Sequence, residues 1–258
     1  MIEQKDGYVI SQIDEQGIAT IEFQHPMSNS LPGAILRKLA DTITQMGENE
    51  QAKVIILKSA GEKAFCAGAS FDELITIDNE ADGLKFFSGF ALVINAIRKC
   101  PKFVIARVQG KAVGGGVGIA AAADYTLAVD SAAIKLSELA VGIGPFVVGP
   151  AVERKMGTAA FSQLAIDASS WRDAQWAAQK GLYASVHQTV EELDQEVMKL
   201  ATTLAKSSPD AMRDLKAVIW EGTDHWDTLL TDRAAISGRL ILGEFAVNAI
   251  SAFKSKQK

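Results

Sequence analysis

Phe103-Val-Ile-Ala-Arg-Val-Gln-Gly-Lys-Ala-Val-Gly-Gly-Gly-Val-Gly-Ile-Ala-Ala-Ala-Ala-Asp124 decides the fold. Phe103 to Val108 is a short apolar, β-branched run of the kind that forms a buried strand, and Gly114, Gly115 and Gly116 then open a helix of small residues. The first N–H groups of a helix lack intrahelical acceptors and sit at its positive end, and glycine lets a ligand approach the main chain. Three roles fit such a junction: a tight strand-to-helix turn, a dinucleotide site, or an oxyanion hole. Gly116, Gly118 and Ala121 satisfy G-x-G-x-x-A, but the acid that follows the next apolar strand, Asp130, comes nine residues after Ala121. A ribose-binding acid belongs about 20 residues on, so the dinucleotide role fits poorly.

A second junction of the same kind lies upstream. Lys53 to Lys58 (KVIILK) has the pattern of a buried strand, and Ser59 to Leu74 (SAGEKAFCAGASFDEL) is a small-residue loop running into another helix. With two such loops present, the chain resembles the enoyl-CoA hydratase/isomerase (crotonase) superfamily. Lys63 to Ala69 (KAFCAGA) is similar to that family's first oxyanion loop and Lys102 to Gly118 to its second. Tyr8 to Phe23 resembles the opening hairpin, Pro26 to Asn29 a shortened Pro-x-x-x-Asn loop, Ser137 to Gly142 (SELAVG) the Pro-Glu-x-x-x-Gly segment, and Ala174 to Leu182 the Ala…Gly-Leu stretch.

The resemblance implies a spiral of ββα units with a C-terminal α-helical region, and an acyl-CoA thioester as substrate. It implies that the N–H groups of Ala69 and Gly115 hold the thioester oxygen and that Glu138 is the acid–base residue. Met27, Ser28, Ala67 and Gly68 would hold CoA, with Phe253 and Lys256 of the last helix reaching a neighbouring subunit's CoA. Coenzyme A enters only as part of the substrate, with no other cofactor, and a homotrimer or homohexamer is implied.

Composition agrees with this. The chain has 258 residues with 48% hydrophobic content, enough for a sizeable core, and a net charge of −5 that argues against a general nucleic-acid binder. No apolar run approaches the roughly 18 residues of a membrane span, and MIEQKDGYVI lacks a signal-peptide pattern, so a cytoplasmic protein is expected. Cys66 and Cys100 are too few for a disulfide framework. His25, His187 and His225 have no partner at metal-ligand spacing, and no metal is expected.

Strand-like runs at 8–13, 18–23, 53–58, 103–108 and 125–129 alternate with helical patterns, which predicts an α/β core over residues 1–189. From Val190 only helical periodicity survives, giving a helical oligomerisation region over residues 190–258 or a helical cap on the same subunit.

Removing a proton next to a thioester carbonyl leaves negative charge on that oxygen, so fixed N–H donors are the first requirement; losing one costs about 3–4 kcal/mol. In family hydratases two glutamates share the proton work. Here the first of those positions is Gly118 and the second is Glu138. One carboxylate suffices to move a double bond, because it lifts the α proton and returns it to the γ carbon. Gly142-Ile-Gly-Pro-Phe146 also resembles an isomerase segment. Double-bond isomerisation is therefore expected; alternatives are hydration, another enolate reaction such as decarboxylation, or acyl-CoA binding without catalysis. Leu136 and Leu139 predict an apolar wall that raises the pKa of Glu138. Asp124 has the place of a structural acid, while Asp72 and Glu73 are reserve carboxylates at the start of a helix. A glutamate introduced at 118 is expected to supply the second carboxylate if the pocket tolerates its volume.

Overall fold

Alternation from Ala19 to Gln24 shapes the inner strand of the first hairpin. In the computed structural model, which describes residues 6–255 and the side chains of residues 6–252, β1 (Tyr8–Ile13) pairs antiparallel with β2 (Ile18–Gln24). Ile18, Ala19, Ile21 and Phe23 are buried, and the turn is tied by Asp14, whose Oδ1 accepts from the N–H groups of Gln16 and Ile18. After β3 (Ser30–Leu31) comes α1 (Gly33–Glu48), whose buried Ile35, Leu36, Leu39 and Ile43 follow helical spacing.

The chain then alternates between two sheets. β4 (Val54–Ser59) joins β2 in the large sheet, β5 (Ala64–Cys66) starts a small one, and β6 (Gly68–Ala69) pairs with β3; α2 (Phe71–Leu74) and α3 (Glu80–Lys99) follow. β7 (Val104–Val108) returns to the large sheet, β8 (Lys111–Val113) goes to the small one, and α4 (Gly115–Ala122) closes that turn. β9 (Tyr125–Val129) and β10 (Ala133–Lys135) repeat the step, ahead of a 3-10 turn (Glu138–Val141) and α5 (Gly149–Ile166). β11 (Arg172–Asp173), α6 (Ala174–Gln179) and β12 (Ser185–His187) complete the core. The large sheet has the order β1-β2-β4-β7-β9-β12 and the small one β11-β10-β8-β5. The pairs β4/β5, β7/β8 and β9/β10 each give one strand to the large sheet and one to the small, which is the expected ββα spiral.

The small-sheet strands are absent from the sequence expectations. At two or three residues each they are too short for any periodicity, and β8 makes the path from β7 to the glycines a strand–strand–helix step rather than a direct entry.

Among the described residues four helices follow: α7 (Val190–Ala205), α8 (Pro209–Ile219), α9 (Trp226–Leu240) and α10 (Glu244–Ser255). α7 lies on the large sheet against β4, β7 and β9, and α9 lies along α3. Gly83 and Gly238 make that crossing close, since a Cβ on Gly83 would fall 2.7 Å from the Gly238 Cα. α8 is anchored by a buried ion pair. Lys216 Nζ donates to Asp124 Oδ2 at 2.7 Å and to the carbonyls of Ile97 and Lys102 at 2.9 and 2.8 Å, while Trp220 Nε1 donates to Asp124 Oδ1 at 2.9 Å. Asp124 also accepts from the Val104 N–H at 2.7 Å. All its bonds are structural, as its place in the sequence suggests.

Candidate active site

The second loop is built around Gly114, at φ 53° and ψ −113°, a backbone conformation natural only to glycine. It directs the chain from β8 into α4, where the Val117 and Gly118 N–H groups both bond to the Gly114 carbonyl. Gly115 is the first residue of the helix, so its N–H has no acceptor in the preceding turn. A Cβ at Gly115 would lie 2.2–2.4 Å from ring carbons of Phe90, which packs directly on the backbone there.

The first loop meets the second at two points. Gly68 sits against the Val113 carbonyl, 3.2 Å from where its Cβ would be, and a Cβ on Gly116 would fall 2.4 Å from the Cys66 carbonyl. Parallel pairing of β5 with β8 brings the loops together, and β6 against β3 fixes Ala69, whose carbonyl accepts from Ser30 Oγ at 2.8 Å. The segments bearing Ala69 and Gly115 are therefore neighbours, although 46 positions of sequence separate them (115 − 69).

Glu138 opens the 3-10 turn and its carboxyl lies over the start of α4: Oε1 is 3.0 Å and Cδ 3.4 Å from the Cβ position of Gly114. As a whole the residue is only half-buried, because its turn reaches the surface, but Oε2 is fully enclosed and has no hydrogen-bond partner. Burial of the carboxyl pushes its pKa up to about 7, with its own backbone N–H pulling weakly the other way. Leu136 is buried as expected, whereas Leu139 is 49% exposed, so the apolar wall forms on one side only.

The space for a second carboxylate is filled. A Cβ at Gly118 would stand 2.5 Å from Val148 Cγ1, 2.8 Å from Val148 Cβ and 3.5 Å from Ile94 Cδ1. The condition attached to a glutamate at 118, that the pocket tolerate its volume, is not met as the side chains stand: Val148, distant in sequence, occupies that space. Glu73 is also committed, its Oε2 accepting from the Gly33 N–H at the start of α1 at 2.8 Å, and Asp72 is exposed. α2 is capped instead by Ser70, whose Oγ accepts from the Glu73 N–H at 3.3 Å.

The predicted CoA-binding residues fall in three places. Ser28 borders an open cleft of about 460 Å³, lined also by His25, Pro26, Asn29, Ala60 and Lys63, with Met27 beside it and 61% exposed. Ser28 and Asn29 are both left-handed, at φ 55° and 57°. The buried Asn29 side chain holds them there: Oδ1 accepts from the His25 N–H at 2.8 Å, and Nδ2 donates to the Ala60 and Ala64 carbonyls at 2.9 Å each. Ala67 and Gly68 belong to the first loop, and the Ala67 N–H is engaged by the Asn29 carbonyl at 3.2 Å. Phe253 lies on α10, beyond the described side chains, and Lys256 lies outside the described residues. His25, to which the sequence assigned no role, borders the cleft with its Nδ1 buried and unpartnered, and desolvation lowers its pKa. Its place directly before Pro26 was the available signal.

Among the described residues no cluster of His, Cys, Asp and Glu has metal-site geometry, and no helix is long and apolar enough to cross a membrane. Cys66 is wholly buried and burial pushes its thiol up to about 12, the opposite of an activated nucleophile. Trp171 is partly exposed on the small sheet, with Lys111 and Lys135 Nζ 5.0 and 5.6 Å from its ring centroid.

Known proteins resemble this chain in sequence and in fold. The chain is 27% identical over 251 residues to a probable enoyl-CoA hydratase of Bacillus subtilis (strain 168), covering 96% of each. It is 29% identical over 252 residues to a short-chain-enoyl-CoA hydratase of Clostridium acetobutylicum, covering 95% of each. Among solved structures, an enoyl-CoA hydratase from Bacillus anthracis superposes with a TM-score of 0.77 at 28% identity over 96% of both chains. One from Bacillus halodurans superposes with a TM-score of 0.87 over 95% of this chain and 99% of that one; at 18% identity it speaks for the fold alone. The profile of the enoyl-CoA hydratase/isomerase family matches residues 14–239, and with the spiral core and paired loops in place, the chain belongs to that family, within the crotonase superfamily.

Proposed function

We propose that the protein isomerises an enoyl-CoA, moving a 3,4 double bond to the 2,3 position through a thioester dienolate. The observation that carries this reading is that, among the described residues, Glu138 is the carboxylate with a free, buried Oε2, while Val148 and Ile94 fill the volume beside Gly118. In the ionised form Glu138 takes a proton from C2 of the substrate, and the electron pair moves onto the thioester oxygen. The N–H groups of Ala69 and Gly115 are the donors assigned to that oxygen, the second at the positive end of α4. Glu138, now neutral, returns the proton to C4, and the pair flows back to form the 2,3 double bond. A pKa of about 7 suits both halves, since the group is a competent base and a competent acid near neutrality. CoA is part of the substrate, and the cleft beside Ser28 and Lys63 is the assigned seat for its polar portion.

Hydration of a 2-enoyl-CoA is the second reading, favoured by the hydratase names of the relatives. It requires a group other than residue 118 to activate water. The two readings separate when wild-type protein and Glu138→Gln are assayed on matched 3-enoyl- and 2-enoyl-CoA thioesters. Isomerisation is expected to exceed hydration, and Glu138→Gln to lower turnover by roughly 10²-fold or more with little change in CoA affinity. Efficient hydration without isomerisation reverses the order of the readings.

A further inference from the structure

Polar contacts hold the Glu138 side chain weakly: Oε2 has no hydrogen-bond partner, its own backbone N–H reaches the carboxyl, and the carboxyl lies against the backbone of Gly114. Its turn is four residues of 3-10 helix, a weak element by itself, closed by Gly142 N–H to the Leu139 carbonyl at 3.1 Å and Ile143 N–H to the Glu138 carbonyl at 3.1 Å. The orientation of the carboxyl must therefore come from what packs on the turn.

Both α5 and α10 pack on the turn, and α10 is the one that meets its glycine end. Gly142 ends the turn in the left-handed region, at φ 81°, and a Cβ there would lie 2.6 Å from Phe245 Cδ1 and 3.2 Å from both Cα and N of Ala246. Ala246 is buried with Ile143 and Ile241 in a small cluster separate from the main core. Partly buried Val141, just after Glu138, and Leu74 and Ile77, just after the first loop, pack on the same cluster. α10 thus ties together the two segments that must stay in register, the turn with the acid and the end of the loop with Ala69. Phe245 is itself 67% exposed, so its contact with Gly142 adds little to the core.

We infer that Phe245 and Ala246 are positioning residues that clamp the Gly142 hinge and so hold the Glu138 carboxyl against Gly114 and away from water. This rests on the assignment of Glu138 as the acid–base group. α4 carries no charged side chain, and Glu244 of α10 is exposed. On α5, Glu153 is bonded to Thr158, Arg154 lies over the Trp220 ring, and Lys155 donates to the Ala123 and Asp124 carbonyls.

The test uses the full chain with Phe245→Ala, Phe245→Leu and, as a control, Val247→Ala on a half-exposed position of the same helix. The Glu138 carboxyl is titrated by NMR in protein labelled with δ-¹³C glutamate, its signal assigned through Glu138→Gln, and kcat and KM are followed against pH. In Phe245→Ala the Glu138 midpoint is expected to fall by about one pH unit or more toward the ordinary glutamate value. Turnover should drop roughly tenfold through misplacement of the carboxyl, with KM much less affected. Phe245→Leu should restore both, and Val247→Ala should change neither. An unmoved Glu138 titration in Phe245→Ala overturns the clamp, even if the rate falls. Because the titration needs no turnover, the two ideas fail separately: full activity in Glu138→Gln overturns the reaction assigned to the residue, not the clamp.

Discussion

Replacing Glu138 by Gln tests the buried carboxyl without reference to any substrate. Burial raises its pKa from 4.5 to about 7, so ionising it in the folded protein costs more than in the unfolded chain by about 1.36 kcal/mol per unit, or about 3 kcal/mol in full. The sign follows from proton binding. Below pH 4.5 the group is protonated in both states and the cost is absent. As pH rises from 4.5 to about 7 the unfolded chain releases its proton first, so stability falls, and above about 7 the loss is complete. Gln does not titrate, and any difference in its hydrogen bonding adds an offset that is the same at every pH. Between pH 5 and pH 8.5 the variant should therefore gain about 2–3 kcal/mol on the wild type. Urea denaturation followed by circular dichroism across that range measures the difference directly. A wild-type-to-variant difference that stays constant with pH would refute the buried, unpartnered carboxyl and with it the tuned acid–base group.

Gly118→Glu alone should overpack against Val148 and lose roughly 1–3 kcal/mol without acquiring hydratase activity. Adding Val148→Gly should recover the stability and raise hydration of a 2-enoyl-CoA, measured by loss of enoyl absorbance. Lys216→Met should destabilise the protein by about 3–5 kcal/mol in chemical denaturation, because it leaves Asp124 buried without its cation, and Asp124→Asn in that background should restore part of the loss.

Much of the candidate site was legible before any coordinates. The glycines at 114–116, the KAFCAGA loop and Glu138 stand in an order that resembles one family's motifs, and glycine suits a backbone that a ligand approaches closely. The α/β alternation and the helical tail were equally readable, since buried parallel strands leave continuous apolar runs and amphipathic helices leave a 3.6-residue period. Strands of two or three residues leave neither, so the small sheet that brings the two loops together appears only in the fold.

Tertiary structure also decided everything that depends on volume and burial. Sequence spacing shows that Gly118 lacks a carboxylate; that Val148, 30 positions on (148 − 118), takes up the space is a matter of how α4 meets the start of α5. Glu138 is one acid among many in the chain, and only enclosure of its Oε2 beside Gly114 makes it an exceptional one. The contact of Phe245 with Gly142 joins residues more than 100 positions apart (245 − 142 = 103). Local residue chemistry is written in the order of the chain, whereas desolvation and exclusion arise from which distant surfaces the fold presses together, and no local pattern encodes that.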